Sequence, residues 1–467
     1  MRRTILLVAT MILTLLVASG VALAVGIGSA GAQSSVVGPG ESIQKAINAA
    51  DPGDTIVVRG VHREDVVIHK NGIKLRGDDA VIEAPPKSKA DSPCSKVFGA
   101  EGICVLGGVN LQNGKLTGSR VKDVGVSGFT LRGFEQTKDV TFAIDVPGAR
   151  DAAIVGNRFV GNGSGAIGLG RNIDTTIAKN HIVANPKAAS SEGIVVGDDS
   201  RSTNIVNNEV RNIPEGDQSA IIVDGAIATT VAKNDLENNW VGLFVGDSPG
   251  TKILANDITD STLGGMAIVD STGTKILAND VSRSGNTGIT IFGPERANND
   301  AKVVGNRVSG GPWGVYVGGT HRGSFAGNTI HNNCAGMFFE AFPGQPVGGF
   351  EVKANTVENN TRKCPTGIEE GRVAFSGIGI ALLGASNMEV TGNQISGNIP
   401  SGPTPVSGGV VVSTNPFGDG SAEPRNNSVT GNHFGHNKPD IFWDKSGSGN
   451  RFLGNLCDTS VPSSLCN

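Results

Sequence analysis

The segments Asp247-Ser-Pro-Gly-Thr-Lys-Ile-Leu-Ala-Asn-Asp-Ile258 and Asp270-Ser-Thr-Gly-Thr-Lys-Ile-Leu-Ala-Asn-Asp-Val281 match at 10 of 12 positions and lie 23 residues apart. Their core pattern is two small or apolar residues, an asparagine, any residue and an apolar residue, and it recurs mostly at steps of 22 to 28 residues. The asparagines of this pattern are Asn157, Asn180, Asn208, Asn234, Asn256, Asn279, Asn306, Asn328, Asn355, Asn393, Asn432 and Asn455. Such a period indicates a solenoid in which each repeat forms one coil.

A second short run, opened by glycine and rich in β-branched residues, lies between consecutive asparagines. Examples are Gly193-Ile-Val-Val, Gly242-Leu-Phe-Val, Gly265-Met-Ala-Ile, Gly288-Ile-Thr-Ile and Gly314-Val-Tyr-Val. Short β-branched runs between Gly, Asn, Asp and Ser turns predict β-strands, three to a coil, with no helical periodicity. Inward asparagine amides on successive coils would then hydrogen-bond one another and the turn carbonyls.

The start of the repeat region predicts an end cap. Ser42-Ile-Gln-Lys-Ala-Ile-Asn-Ala-Ala50 has apolar residues at helical spacing, and Asp51-Pro-Gly-Asp-Thr-Ile-Val-Val58 opens the first strand. A short amphipathic helix here would cover the open end of the hydrophobic cylinder, as terminal units of solenoids must.

The opening SIQKAINAADPGDTIVV, the following NGIKLRGD and the asparagine-marked coils resemble the right-handed parallel β-helix superfamily. That superfamily includes pectate lyase-like proteins, alginate epimerases and lyases, tailspike-type depolymerases and NosD-like periplasmic proteins. The resemblance covers residues 36–456 and implies an all-β, right-handed parallel β-helix whose first sheet carries a substrate groove on its outer surface. It is specific for the fold and does not select a function.

The first 32 residues predict a secretory signal peptide. Arg2 and Arg3 precede an apolar run, and Ala30-Gly-Ala32 provides a small-x-small cleavage site. The expected organisation is therefore a signal peptide over 1–32, an N-terminal cap over 33–52, a β-helix over 53–456 and a tail over 457–467. Cleavage after Ala32 would release a secreted protein, whereas an uncleaved apolar run would anchor it in a membrane.

Charge and cysteine content narrow the partners and the compartment. Removing Arg2 and Arg3 takes the formal charge from −4 to −6, which argues against nucleic acid or an anionic membrane as the main partner. The six cysteines form three sequence-local couples without CxxC spacing, which favours disulfides over a metal site, although spacing does not fix their connectivity. These couples are Cys94 with Cys104, Cys334 with Cys364, and Cys457 with Cys466.

Aromatic residues gather in one strip along the glycine-opened strands, at the second position, at the next outward position or just ahead of the strand, although the chain has only 21 of them. Along each strand the odd positions after the glycine are apolar and must point inward, so the second position points outward. The strip contains Trp240, Phe244, Phe292, Trp313, Tyr316 and Phe338. The strip predicts either a platform that binds sugar rings or an aromatic ladder covered by a loop. If it is a platform, all of these residues except Tyr316 are candidate substrate-binding residues.

An acidic column is predicted at the fifth position, where each strand turns. Its members are Asp198, Asp224, Asp247 and Asp270. Aspartate is a natural turn residue, and this is the simplest interpretation. The alternatives are a calcium site, for which Asp198 and Asp224 are the candidate ligands, and a general acid/base pair, for which Asp247 and Asp270 are the candidates.

A third candidate cluster contains Tyr316, His321, Arg322, His331 and Glu340 on two adjacent coils. A uronate lyase or epimerase needs a cation to neutralise the sugar carboxylate and an acid or base at C5, so the residue types suit that chemistry. The alternative is a set of solvated surface side chains.

Known catalytic motifs are largely absent from the chain. The Asp-Pro-His-Asp signature of alginate epimerases is missing, and of the polygalacturonase motifs only Asp198-Asp199 is present. A copper role like that proposed for NosD-like proteins lacks ligands, since only Met266, Met337 and Met388 follow the signal peptide and the histidines are dispersed. The sequence therefore predicts an extracellular carbohydrate-active protein, a polysaccharide lyase, epimerase or hydrolase, or else a non-catalytic carbohydrate-binding scaffold.

Overall fold

The computed structural model describes residues 32–86, 90–135, 141–188, 191–197, 199–216, 218–293, 298–364, 374–416 and 422–466. Within them the chain coils into a parallel β-solenoid, as the repeat predicted. The predicted signal peptide, except for Ala32, lies outside the described residues.

A short helix, Ile43–Ala49, caps the N-terminal end. The Ser42 hydroxyl accepts a hydrogen bond from the backbone N–H of Lys45, which satisfies one free donor of the first turn. Ile43 and Ile47 are fully buried against the first coil. The cap therefore has the position and the apolar face expected from the sequence.

One face of the rod is a 15-stranded parallel sheet, which we call the groove stack. Its strands are Val66–Ile68, Ile103–Val105, Phe142–Pro147, Gly165–Gly170, Ile194–Gly197, Ser219–Asp224, Val241–Gly246, Gly264–Val269, Thr287–Phe292, Trp313–Gly318, Ala335–Glu340, Ile378–Leu383, Gly408–Ser413, Ile441–Trp443 and Ser460–Val461.

The other two faces belong to a 27-stranded parallel sheet that bends at the repeated asparagine. The second stack precedes the asparagine and comprises Ala153–Val155, Thr176–Ala178, Asn204–Val206, Thr230–Ala232, Lys252–Leu254, Lys275–Leu277, Asn298–Val304, His321–Ala326, Gly348–Lys353, Glu389–Thr391, Ser428–Thr430 and Arg451–Leu453. The third stack follows it and comprises Arg158–Asn162, His181–Ala184, Glu209–Arg211, Asp235–Glu237, Asp257–Thr259, Asp280–Ser282, Arg307–Ser309, Thr329–His331, Thr356–Glu358, Gln394–Ser396 and His433–Gly435.

The first coils differ from the later ones because single long strands run through both the second and third stacks. These early strands are Thr55–His62, Lys74–Glu83 and Gly125–Arg132, and the shorter strand Ser34–Val37 pairs with residues 55–58 of the first of them. Val121–Lys122 and Ala149–Arg150 form a separate two-stranded sheet, and the described residues also contain the helix Pro93–Phe98 and the 3-10 turn Ser463–Leu465. None of the helices in the described residues has the length and apolar character of a membrane span.

Side-chain alternation places the core inside the rod. In the strand Val241–Gly246, Leu243 and Val245 are fully buried, whereas Phe244 is half-buried on the outer surface. A Cβ on Gly242 would meet the side chain of Ile258 on the neighbouring face, so the glycine that opens the strand lets two faces approach closely.

The repeated asparagines form the predicted amide ladder. Nδ2 of Asn256 donates to Oδ1 of Asn279 at 2.9 Å and to the carbonyl oxygen of Val231 at 2.9 Å. The backbone N–H of Asn256 also donates to Oδ1 of Asn279 at 2.9 Å, so each amide oxygen serves two donors of the preceding coil. The same pattern runs from Asn157 to Asn455.

A second amide ladder follows the third stack and was not expected from the sequence. Asn333, Asn360, Asn398 and Asn437 are linked by Nδ2-to-Oδ1 hydrogen bonds of 2.8–3.0 Å. These residues lie five positions after the asparagines of the first ladder, as Asn333 follows Asn328. The two ladders therefore fix both turns that border the third stack.

All three predicted disulfides are present: Cys94–Cys104, Cys334–Cys364 and Cys457–Cys466. The first joins the helix Pro93–Phe98 to the groove stack, and the second ties a late inserted loop to the strand Ala335–Glu340. The third closes the C-terminal segment, where Leu465 packs against the main core. Three disulfides suit an oxidising, extracytoplasmic compartment.

Candidate functional site

A groove with a volume of about 770 Å³ lies on the outer surface of the groove stack. Its floor spans five consecutive strands from Phe142–Pro147 to Val241–Gly246. Two walls enclose it: residues 109–114 of an inserted loop on one side, and Gln218, Trp240 and Leu263 on the other. A groove that runs across stacked coils suits an extended ligand better than a compact one.

One end of the floor is formed by the ring of Phe142. A Cβ placed on Gly165 or Gly168 of the next coil would collide with this ring, so the ring lies across the backbone of both glycines. Phe142 remains half-buried and lines the groove. The two glycines therefore leave room for an aromatic ring to lie flat on the sheet.

The other end of the floor combines Trp240 and Phe244 with a carboxylate. A Cβ on Gly246 would lie 2.6 Å from Oδ1 of Asp224 and 2.8 Å from Cε1 of Phe244. The Asp224 carboxylate and the Phe244 ring thus share the space above one glycine. Trp240 and Phe244 are half-buried, and Asp224 is exposed.

Two further carboxylates line the groove between these ends. Burial raises the pKa of Glu192, so this side chain keeps its proton to a higher pH than an exposed glutamate. Asp145 is only 8% exposed, and its Oδ1 accepts the backbone N–H of Val146 at 3.0 Å. The floor therefore offers one readily protonated carboxyl group, Glu192, among apolar and aromatic surfaces.

Behind the floor lies a fully buried carboxyl group, Glu101. Neither of its oxygens has a hydrogen-bond partner among the described residues. Burial, and next the charges of Asp145 and Asp65, raise the pKa of Glu101 well above its ordinary value. Its carboxyl oxygens also lie near the sulfurs of the Cys94–Cys104 disulfide, which as bonded sulfurs offer no thiolate ligand.

The inserted-loop wall is held at its base by arginines. The guanidinium group of Arg171 lines the groove and lies 3.5 Å from the point where a Cβ on Gly114 would sit. The Nε–H of Arg120 donates to the carbonyl oxygen of Arg171 at 2.7 Å, and Arg171 Nη1 lies 2.9 Å from Oδ2 of Asp199. This edge of the groove is therefore cationic, in contrast to its floor.

At Phe338 the structure matches the covered aromatic ladder and not the open platform. It is only 2% exposed and packs with Cys334, Cys364 and Phe375 in a second apolar cluster. Trp313 stacks on Phe375 with ring centroids 5.1 Å apart. The late loop held by the Cys334–Cys364 disulfide covers this end of the strip, so Phe338 does not face a groove.

The remaining aromatic residues of the strip lie between the open and covered ends. A Cβ on Gly318 would lie 3.0 Å from both the Phe292 ring and the Tyr316 hydroxyl. Tyr316 in turn stacks on Phe338, with ring centroids 6.4 Å apart. Phe292, Trp313 and Tyr316 are half-buried, and none of them lines the groove.

The acidic column is only partly in register. Asp224 pairs with Gly246, one residue before Asp247, so it occupies the fourth position of its strand and not the fifth. Asp247 and Asp270 both follow the strand end in left-handed backbone conformation with φ +44°, which is typical of turn aspartates. Asp198 lies outside the described residues, so a calcium site at Asp198 and Asp224 stays a prediction.

The third predicted cluster is divided between different faces. Tyr316 and Glu340 belong to the groove stack, whereas His321 and Arg322 belong to the second stack and His331 to the third. Arg322 pairs with Asp300, and burial followed by the charge of Arg322 lowers the pKa of His321. Glu340 is 7% exposed and accepts a hydrogen bond from Asn415 at 2.8 Å.

The model of a family described as "Right handed beta helix region" matches residues 47–223 and 295–460. The chain belongs to the right-handed β-helix family. A second family model, "Periplasmic copper-binding protein (NosD)", matches residues 189–334 of this β-helix protein. No curated protein matches the sequence.

Several solved structures are similar to this β-helix protein at low sequence identity. The A-module of the Azotobacter vinelandii mannuronan C-5 epimerase AlgE6 is 15% identical with a TM-score of 0.45, over 89% of this chain and 95% of that one. The Dettilon tailspike protein is 14% identical with a TM-score of 0.44, over 91% and 68%. The DFA-IIIase of Arthrobacter chlorophenolicus A6 without its lid is 14% identical with a TM-score of 0.38, over 89% and 90%.

The methionines of this β-helix protein do not fit a copper site. Met266, Met337 and Met388 are at most 1% exposed and lie in the main hydrophobic core. Sulfur ligands for copper need access to the ion, and these thioethers face the interior of the rod. No step of a proposed function is therefore assigned to copper.

Of the predicted site residues, Trp240, Phe244 and Asp224 line the groove, and the structure adds Phe142, Asp145, Arg171 and Glu192. The strand Phe142-Ala-Ile-Asp-Val-Pro147 has the same inward alternation as later strands but lacks the opening glycine, so the sequence pattern missed it. In the structure this strand pairs in register with the glycine-opened strand Gly165–Gly170, so an alignment of the two segments would have revealed it.

Proposed function

We propose that this chain is an exported protein that binds polysaccharide in the groove between Phe142 and Phe244. The observation that carries the proposal is the pair of aromatic ends, with Phe142 flat over two glycines and Phe244 beside Trp240. Flat rings offer apolar faces that match the apolar faces of sugar rings, while Glu192, Asp224 and Gln218 supply hydrogen-bonding groups between them.

The length of the groove supports a polymeric ligand. Phe142 and Phe244 lie on the first and fifth strands of the floor, so four coil spacings of about 4.8 Å separate them by roughly 19 Å. A ligand that contacts both ends must span several sugar rings. The predicted export signal and the three disulfides support a site of action outside the cytosol.

Affinity electrophoresis and calorimetry with neutral and uronate glycans test the proposal. We expect retention by at least one glycan, and Phe244→Ala should weaken it about tenfold because an aromatic contact is lost. Leu254→Ala provides the matched control, because this large apolar side chain is 38% exposed on the second stack, away from the groove. Binding that is absent, or that falls equally in both variants, contradicts a glycan groove.

Glycan hydrolysis is a second candidate function, favoured by the raised pKa of Glu192. A carboxyl group whose pKa is raised by burial keeps its proton to a higher pH, which suits a general acid acting on a glycosidic oxygen. From strand geometry, the Cα of Glu192 lies about 14 Å from that of Asp145 and about 17 Å from that of Asp224. The backbone register therefore does not place Glu192 directly opposite either carboxylate.

Product assays separate binding from cleavage. New reducing ends would indicate hydrolysis, and ultraviolet absorbance of unsaturated uronates would indicate a lyase. If hydrolysis occurs, Glu192→Gln should abolish it while leaving glycan retention in place. Retention without either product in the wild-type protein assigns the groove to binding alone.

A further inference from the structure

Four arginines from adjacent coils meet at the cationic edge of the groove: Arg120, Arg150, Arg171 and Arg201. Arg150 and Arg201 occupy equivalent positions two coils apart, joined through parallel bridges to Ile173. Strand spacing places their Cα atoms roughly 10 Å from each other. Arg171 lies two residues before Ile173, on the coil between Arg150 and Arg201. Arg120 donates a hydrogen bond to the carbonyl oxygen of Arg171.

These guanidinium groups carry more positive charge than the described residues neutralise. The one ion pair that they make within the described part of the chain joins Arg171 to Asp199, which is 65% exposed. Burial, followed by the charges of Arg150, Arg201 and Arg171, lowers the pKa of Arg120. Nearby like charges of this kind are stabilised when an anion is bound between them.

A donor within the cluster also lacks a partner. The Nε–H of Arg171 is buried and makes no hydrogen bond to any described residue. A buried, unsatisfied donor costs free energy that a bound acceptor would recover. Because Arg171 also lines the groove, an acceptor placed here would be continuous with a ligand on the groove floor.

We propose that Arg120, Arg150, Arg171 and Arg201 form a binding site for an oxyanion, a carboxylate or sulfate group carried by the polysaccharide in the groove. This inference rests on the proposed function for the source of the anion. Guanidinium groups bind such planar or tetrahedral oxyanions through paired N–H donors, and several of them together favour a charged substituent over a hydroxyl group. The sugar rings would then lie over the aromatic floor with their anionic substituents turned towards the loop side.

Paired glycans that differ only in charge provide the test. We expect the full-length protein to bind dextran sulfate about tenfold more tightly than dextran, with a preference that declines as salt is raised. Arg150→Gln combined with Arg201→Gln should remove this preference, because both side chains are exposed and can be changed without disturbing the core. Arg158→Gln combined with Arg451→Gln, at exposed positions on other faces, should retain it.

The outcomes distinguish this site from the groove itself. Equal affinity for both glycans, or a preference that survives Arg150→Gln with Arg201→Gln, overturns the anion site even if Phe244→Ala confirms the groove. Calorimetry with inorganic sulfate distinguishes a free ion from a glycan substituent. If sulfate binds in an arginine-dependent manner while no glycan is retained, the anion site stands and the groove proposal fails. If neither sulfate nor dextran sulfate binds, the anion site is wrong.

Discussion

The aromatic strip of the groove stack extends from Phe244 to Phe338, and the surroundings of its two ends differ. Phe244 and Phe338 occupy the same outward position of their strands, linked in register through Ala267, Thr290 and Tyr316. Phe244 lines an open groove, whereas Phe338 is 2% exposed beneath a disulfide-held loop. The same position in the coil therefore lines an open groove at one end of the strip and belongs to a second buried cluster at the other.

The comparison shows that the inserted loops, and not the repeat itself, determine whether an outward aromatic ring is open to the groove or covered. The early loop that includes residues 109–114 stands beside the floor as a wall. The later loop brings Phe375 onto Trp313 and covers the strip. Loops added to one face of a solenoid can thus either build a binding site or bury one.

Truncating the two equivalent rings should have the largest and most unequal effect. Phe338→Ala should lower the free energy of unfolding by about 3–5 kcal/mol, since it leaves a cavity in a packed cluster. Phe244→Ala should lower it by about 1 kcal/mol, since its ring is only half-buried. Chemical denaturation of both variants measures the difference, and equal losses would mean that the open and covered ends are not distinct.

Removing the disulfide of the covering loop should have the next largest effect. Cys334→Ser with Cys364→Ser should lower the free energy of unfolding by about 2–4 kcal/mol, because the unfolded chain regains freedom. Loosening the loop should also expose Trp313 and shift its fluorescence to longer wavelength. Cys457→Ser with Cys466→Ser, at the far terminus, should leave the Trp313 environment unchanged. An unaltered emission spectrum in the first variant would show that the cover holds without its disulfide.

The amide ladder runs beneath both ends, so it should respond equally at each. Asn256→Leu and Asn355→Leu should each lower the free energy of unfolding by about 1–3 kcal/mol, because backbone donors and carbonyls lose their partners. Thermal unfolding of the two variants measures this. Unchanged melting temperatures would argue against a structural role for the ladder, and a loss at one end only would tie it to the loops.

The smallest effect is expected from Glu101 at the open end, and it depends on pH. Above the ordinary pKa of 4.5 the unfolded chain has lost this proton while the folded chain retains it, so stability falls as the pH rises towards the raised folded value. Glu101→Gln should therefore raise Tm relative to wild type at neutral pH, with a gain that disappears in acid. Glu389→Gln, at an exposed position of the second stack, is the control. A gain that persists in acid would contradict a proton-linked cause.

The sequence predicted the features that recur in every coil, such as the asparagine ladder. It missed the features that belong to single coils, such as the register of Asp224 and the burial of Phe338. Asn256 could be assigned to an inward ladder because its neighbours repeat it, and the structure confirms this assignment. Asp224 was placed one position too far along because Ala220, and not a glycine, stands opposite Gly242. Phe338 could not be distinguished from Phe244, because both follow the same alternation and only the distant loop residue Phe375 separates them.

The amide-to-amide hydrogen bonds of the ladder all point towards the C-terminal end of the rod, while each Nδ2 also donates to a carbonyl oxygen of the preceding coil. Each asparagine donates its side-chain and backbone N–H groups to the oxygen supplied by the following coil. A rod cut after any coil of the ladder would therefore leave amide donors unpaired at its C-terminal edge, and the following coil supplies the acceptor oxygen for both of them.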